Sequence, residues 1–166
     1  MEDPALYPDA PLMFLSRKKA EALSGAPGSV IISITDPGKR LADLQGYSED
    51  QILRLSFDDV DEVARDLPLC WDPENDPPKD LPLWRWFGVE WFLPAHAREI
   101  LHFVDRQPAA IRFRVHCEKG ESRSAAVARW IAGYRKLPEP PGISIPNERV
   151  LRLLARVSET NHGLVR

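Results

Sequence analysis

Residues 116–124 read His116-Cys117-Glu118-Lys119-Gly120-Glu121-Ser122-Arg123-Ser124 and lie between two segments of different periodicity. Before them, Ile111, Phe113 and Val115 alternate with charged or polar residues, which is the two-residue period of a strand. After them, residues 122–136 contain no proline and many alanines, which indicates a helix. The sequence therefore predicts a short loop that joins the C-terminal end of a strand to the N-terminal end of a helix.

The predicted loop is suited to bind an anion. Backbone N–H groups at a helix start point toward one spot, and the helix dipole adds partial positive charge there. Arg123 can donate two parallel hydrogen bonds to two oxygens of a phosphate. Gly120 allows a sharp backbone turn within the loop, and the positive field favours the thiolate form of Cys117. A nucleophile and a phosphate site are thus expected in one pocket.

This stretch resembles the signature loop of the protein tyrosine phosphatase superfamily, in which His-Cys is followed by five residues and then by Arg and Ser or Thr. Gly120 and Ser124 make it most similar to the small dual-specificity-type cysteine phosphatases, which include bacterial members. The resemblance implies a phosphotyrosine phosphatase-like α/β fold. It also implies a phosphate monoester hydrolase that acts through a phosphocysteine intermediate and uses no cofactor and no metal ion.

The resemblance assigns roles to single residues. Cys117 is the expected nucleophile, and Arg123 is expected to bind the oxygens of the transferred phosphoryl group. Ser124 is expected to donate a hydrogen bond that helps the thiolate leave, while His116 organises the loop and does not act as a base. The remaining substrate contacts are expected from the backbone of the loop, at Glu118, Lys119, Gly120, Glu121, Ser122 and Arg123.

A general acid is expected on a loop that follows an earlier strand. Residues 51–57 have the alternation of a strand and run directly into Asp58-Asp59-Val60-Asp61. By resemblance Asp59 best matches the family's acid, and Asp58 is the next candidate. Asp59 precedes Cys117 by 58 positions, which is longer than in compact family members and indicates an insertion. The insertion supplies the remaining candidates, which are Asp66, Asp72, Asp76 and Asp80.

Predicted strands alternate with predicted helices along the whole chain. The strands fall at 11–15, 29–35, 51–57 and 111–115, and the helices fall at 17–23, 95–105, 122–136 and from 147 onward. This pattern predicts one α/β domain over residues 1–166, with a mainly parallel sheet of four to five strands flanked by helices. Loops that follow parallel strands meet at one edge of the sheet, so Asp59 and Cys117 are expected close together. Asp36 also ends a predicted strand, but its Pro37-Gly38 context favours a structural turn over catalysis.

The insertion, at about residues 62–94, is rich in proline and contains four of the five tryptophans: Trp71, Trp84, Trp86 and Trp91. Because tryptophans are buried to offset the entropy of ordering, we expect an ordered segment packed on the domain. It is either a rim that shapes the pocket or additional cover for the core. Its acids are a hypothetical partner for Arg112 and Arg114, which share one face of the strand before the loop. Cys70 is interpreted as a small packed side chain, with pairing to an oxidised Cys117 as the alternative.

The composition of the chain restricts the binding partners that we expect. A net charge of -3 offers no broad basic surface for nucleic acid, and no membrane-spanning run or signal peptide is evident, so we expect a cytoplasmic protein without a membrane partner. The expected substrate is a phosphorylated protein or a small phosphate ester, with a phosphate- or sulfate-like anion in the loop. Two alternatives stay open: a phosphatase of non-protein esters, and a phosphate- or phosphopeptide-binding module without turnover. A rhodanese-type sulfur-transfer domain fits the ends of the loop less well.

Overall fold

A computed structural model describes residues 9–25, 27–61, 89–143 and 145–163. Several residues considered above lie outside this range, and these are Asp66, Cys70, Trp71, Asp72, Asp76, Asp80, Trp84 and Trp86.

The described chain forms four strands and four helices within the α/β class. The strands are β1 (Leu12–Ser16), β2 (Ser29–Thr35), β3 (Ile52–Ser56) and β4 (Arg112–Cys117). The helices are α1 (Arg17–Ala22), α2 (Pro94–Asp105), α3 (Arg123–Arg135) and α4 (Glu148–Gly163). A short 3-10 turn at Glu49–Gln51 leads into β3. In the part of the chain that the structure describes, no helix is long and apolar enough to cross a membrane.

All four strands are parallel and lie in the order β1-β4-β2-β3. The predicted α/β fold with a parallel sheet between helices is therefore confirmed. β4 has a neighbour on each side, with Cys117 beside Ser16 of β1 and His116 beside Ser33 of β2. The carboxyl ends of these strands meet at one edge, so the loop after β4 lies between the segments that follow β1 and β2.

Both faces of the sheet are covered, as a parallel sheet requires. On one face, α2, α3 and α4 pack against the larger core cluster, which includes Phe113, Val115 and Cys117 of β4. Each Phe, Leu or Ile buried there contributes on the order of 2 kcal/mol. On the other face, Leu15 and Ile31 pack with Ala20 of α1 and with residues of the 36–47 segment. The strand before the loop is thus held rigidly from both sides.

The two arginines on β4 are bound by the N-terminal side of the domain. Arg112 donates to a carboxylate oxygen of Asp9 at 2.7 Å and to the carbonyl of Pro27 at 2.9 Å. Arg114 is buried and donates to the carbonyl of Ala10 at 2.8 Å. One carboxylate that pairs with Arg112 therefore comes from the segment before β1. The hypothesised partners Asp66, Asp72, Asp76 and Asp80 of the insertion lie outside the described residues.

The C-terminal end of the insertion packs onto α4. Trp91 and Phe92 are buried, and the Arg149 guanidinium lies 4.7 Å from the centre of the Trp91 ring. Arg149 also donates from Nε to the carbonyl of Phe92 at 2.9 Å. Asp58 and Glu90 bind each other, since the Asp58 N–H donates to the Glu90 carbonyl at 2.7 Å and the Glu90 N–H donates to Asp58 Oδ2 at 2.8 Å. The described flanks of the insertion thus meet beside the end of β3.

Candidate active site

The loop of residues 118–122 packs directly against the end of β1. Gly120 has a φ of +73°, and a Cβ built on it would lie 2.3 Å from the backbone nitrogen of Ser16. The Glu118 carbonyl accepts the N–H of Arg17 at 3.2 Å. Only glycine fits both the left-handed conformation and this close approach. The predicted glycine turn is present, and the first residues of α1 hold the loop in place.

Cys117 lies at the bottom of this loop. It is 2% exposed, and its Sγ accepts the Gly120 N–H at 3.3 Å. Ser124 Oγ lies 3.2 Å from the same sulfur. Either atom of this second pair could be the donor. The structure thus brings together the predicted nucleophile and the predicted serine.

Arg123 begins α3, and its side chain is only 5% exposed. Nη1 donates to the Phe57 carbonyl at 2.6 Å, and Nη2 donates to Asp36 Oδ1 at 2.7 Å. Nε is buried and has no hydrogen-bond partner among the described residues. A buried N–H of a charged group is costly to leave unpaired. This donor is therefore available to an acceptor that comes from outside the chain.

Asp59 lies beside both the loop and Arg123. Its Oδ1 accepts the Ser122 hydroxyl at 2.9 Å and the Asn147 amide at 2.8 Å. Its Oδ2 lies 4.0 Å from Arg123 Nε, and the side chain is 41% exposed. We call the space bounded by residues 118–122, Arg123 and Asp59 the anion site. It brings together a carboxylate that can exchange a proton, a thiol that can act as a nucleophile and a guanidinium that can bind an anion.

Asp58, the next candidate for the acid, is oriented differently. Its carboxylate accepts the backbone N–H of Glu90, at the exit from the insertion. The structure therefore brings Asp59 to the loop and gives Asp58 a structural contact. The other candidate acids are outside the described residues.

Asn147 is a site residue that the sequence indicated only as a helix cap. The cap is present, because its Oδ1 accepts the N–H of Val150 at 3.0 Å. The backbone N–H of Asn147 also donates to the Ser122 carbonyl at 3.2 Å. Its side-chain Nδ2 donates to the carboxylate of Asp59 and, at 3.1 Å, to the Val60 carbonyl. It thereby joins the loop and the acidic segment to the start of α4. Nothing local in the sequence signals these long-range contacts.

Asp36 also has more than its expected role in a turn. The turn is present, since the Asp36 carbonyl accepts the Lys39 N–H at 3.1 Å. Its carboxylate pairs with Arg123 and, through Oδ2, with Lys39 Nζ at 2.9 Å. The signal for this contact was its position at the C-terminal end of β2, beside β4 in the sheet.

His116 is buried below the loop, where its Nε2 lies 2.8 Å from Ser33 Oγ of β2. Burial lowers the pKa of His116 to about 4. The imidazole is therefore neutral at physiological pH and bridges two strands. This geometry suits a residue that organises the loop, as expected, and does not suit a base that contacts substrate.

The mouth of the site has mixed charge. Glu118 lies 3.7 Å from Arg17 and 3.8 Å from Lys39, while Lys119 and Glu121 are exposed. The described part of the rim therefore offers no concentrated positive field for a highly charged polyanion. In the part of the chain that is described, no group of three His, Cys, Asp or Glu residues clusters as a metal site would.

No protein-family model matches the chain, and no curated protein matches it.

Proposed function

We propose that this protein is a cysteine-dependent phosphate monoester hydrolase of the protein tyrosine or dual-specificity phosphatase type. The observation that supports it most is the convergence of three groups at the start of α3. Cys117 Sγ accepts the Gly120 N–H, and the buried Nε of Arg123 has no hydrogen-bond partner among the residues that the structure describes. Asp59 Oδ2 lies 4.0 Å from that nitrogen. A phosphate bound by Arg123 and the loop amides would lie between the sulfur and the carboxyl group.

In the first step, the Cys117 thiolate attacks phosphorus in line with the leaving oxygen. The new S–P bond forms as the P–O bond to the leaving group breaks, and Asp59 gives its proton to that oxygen. Arg123 and the loop amides stabilise the negative charge on the three equatorial oxygens. The products of this step are the free alcohol and a phosphocysteine.

In the second step, water attacks the phosphocysteine and Asp59, now ionised, accepts one of its protons. The S–P bond breaks, and its electron pair returns to the sulfur. Ser124 Oγ, 3.2 Å from Sγ, donates a hydrogen bond to the departing thiolate. Inorganic phosphate leaves, and both the thiolate and the protonated Asp59 are restored.

The proposed substrate is a phosphorylated protein or a small phosphate ester. The mixed charge around Glu118 favours these over a polyanion such as a phosphoinositide or an RNA end. A binding module without turnover would need the acid displaced from the loop. The two hydrogen bonds that hold Asp59 beside Ser122 favour hydrolysis over that alternative.

The proposal is tested by the hydrolysis of an aryl phosphate across pH with a chelator present. Cys117→Ser should abolish turnover. Asp59→Asn should lower it by about a hundredfold to ten-thousandfold, with a smaller loss for a phenolic leaving group that departs easily. Asp58→Asn is the matched control, because asparagine keeps an acceptor for the Glu90 amide, and its rate should stay within a few-fold of wild type.

The pattern of the variants separates the alternatives. Equal activity in wild type and Cys117→Ser would rule out cysteine catalysis. Phosphate binding without turnover in wild type would support the binding module. A larger loss in Asp58→Asn than in Asp59→Asn would reverse the assignment of the acid.

A further inference from the structure

We propose that Asp36 is a positioning residue that fixes the guanidinium of Arg123 so that Nε faces the anion site. This inference rests on the proposed function, because it assigns Arg123 the role of binding phosphate. Asp36 itself does not contact substrate and acts through Arg123.

The guanidinium is held at both terminal nitrogens by the ends of two strands. The Phe57 carbonyl, just after β3, accepts from Nη1 at 2.6 Å, and Asp36, just after β2, accepts from Nη2 at 2.7 Å. Within the described part of the chain Nε has no hydrogen-bond partner, and each terminal nitrogen carries a second hydrogen. Donors for two phosphate oxygens therefore remain after the side chain has been fixed.

Fixing the side chain matters because a free arginine samples many rotamers. Ordering it costs side-chain entropy, and a bound anion would otherwise have to offset that cost. The guanidinium is charged in both hydrogen bonds, but only the one to Asp36 pairs it with an opposite charge, which makes that contact the stronger. Burial alone would raise the pKa of the Asp36 carboxyl, but hydrogen bonds from Lys39 and Arg123 lower it overall, so the group is ionised at neutral pH.

A carboxylate near a phosphate site can also weaken phosphate binding. Its negative charge repels an incoming anion, so the loss of Asp36 would tighten phosphate binding if it acted only as a charge. If it positions Arg123, its loss must weaken phosphate binding. The two roles therefore predict opposite signs for one measurement.

The measurement is the dissociation constant of inorganic phosphate for the full-length chain, determined by calorimetry. Asp36→Ala should weaken binding by about tenfold or more. Asp36→Asn keeps a neutral acceptor for Nη2 and should give an intermediate loss. Asp43→Asn removes an exposed carboxylate from the same segment and is the matched control, with a change below about threefold. Unchanged or tighter binding in Asp36→Ala would overturn the proposal.

A second measurement does not depend on phosphate. The Nη hydrogens of Arg123 should give resolved NMR signals in wild type, because both terminal nitrogens are bound and rotation of the guanidinium is slow. In Asp36→Ala these signals should broaden or merge, while the Asp43→Asn control keeps them. Identical signals in wild type and Asp36→Ala would mean that Asp36 does not hold the side chain.

The two arms also separate this inference from the proposed function. If wild type bound no phosphate, the proposed function would fail, while the NMR arm would still decide whether Asp36 fixes Arg123. If wild type and the Asp36 variants bound phosphate with equal affinity and hydrolysed aryl phosphate at equal rates, the proposed function would stand. The positioning role of Asp36 would then be rejected.

Discussion

His116 carries a buried hydrogen bond between two central strands, to Ser33, and this makes the stability of the protein depend on pH. Burial lowers its pKa to about 4, whereas in the unfolded chain it titrates near the ordinary value of about 6.5. The unfolded chain therefore takes up the proton first as the pH falls. The stabilisation is complete above about pH 6.5 and is lost progressively toward pH 4, by up to about 3 kcal/mol.

Urea unfolding at about pH 7 and about pH 4.5 measures this loss. His116→Gln should show a smaller loss between the two conditions than wild type, although it is less stable at neutral pH. The exposed His102→Gln is the matched control and should behave as wild type. Because partial burial also lowers the pKa of His96, the comparison between variants is decisive. An equal loss in wild type and His116→Gln would contradict the assignment.

The contacts of a residue could be predicted from the sequence when its partners are near it along the chain, and not when they are far away. Cys117, Gly120, Arg123 and Ser124 lie within one short stretch, so their spacing alone indicated a common pocket. Arg123 and Asp36 are 87 positions apart, and their contact requires β2 and β4 to be neighbours. The sequence indicated the parallel sheet but not this pairing of side chains. Local turn chemistry therefore dominated the interpretation of Asp36.

Among the elements, the loop and the helix that follows it respond differently to the same substitution. Gly120 is in the left-handed region and lies against Ser16, so Gly120→Ala should destabilise the protein by on the order of 3 kcal/mol. It should also weaken phosphate binding, since the Gly120 amide would move away from Cys117. Gly133 in α3 has open space where a Cβ would lie, so Gly133→Ala should stabilise the protein by about 0.5–1 kcal/mol.

Chemical denaturation and phosphate calorimetry of the two variants test this pair together. Gly133→Ala should bind phosphate as wild type does, because its change is confined to the exposed side of the helix. A Gly120→Ala variant that folds and binds phosphate normally would show that the loop does not need its close approach to β1.

Strands and helices were predicted well because each has its own periodicity, and their observed ends lie within two residues of the expected ones. Asn147 shows where this kind of prediction stops. Its capping of α4 follows from residue type and position, whereas its contacts to Ser122 and Asp59 follow from where α4 packs. Periodicity identifies the buried face of a helix but not the loop that its first residue meets.

Across the whole molecule, the anion site joins segments that are distant in sequence. Asp59 accepts a hydrogen bond from the side-chain amide of Asn147, the residue before α4. Asp61 accepts the N–H of Glu148, the first residue of α4, at 2.7 Å. Arg123 connects the ends of β2 and β3 to α3. All of these contacts are lost together when the domain unfolds. An anion that binds here should therefore stabilise the entire described fold and not only the loop.

The stabilisation of the fold by a bound anion can be measured through ligand linkage. A ligand that binds only the folded chain raises its stability by RT ln(1 + [L]/Kd), which is about 2.7 kcal/mol at a concentration 100-fold above Kd. Thermal unfolding in increasing inorganic phosphate should show a Tm that rises with the logarithm of phosphate concentration. Arg123→Lys should show a much smaller rise, because an ammonium cannot donate two parallel hydrogen bonds. Sodium chloride at the same ionic strength corrects for screening, and an equal phosphate-dependent rise in Arg123→Lys would mean that the anion binds elsewhere on the surface.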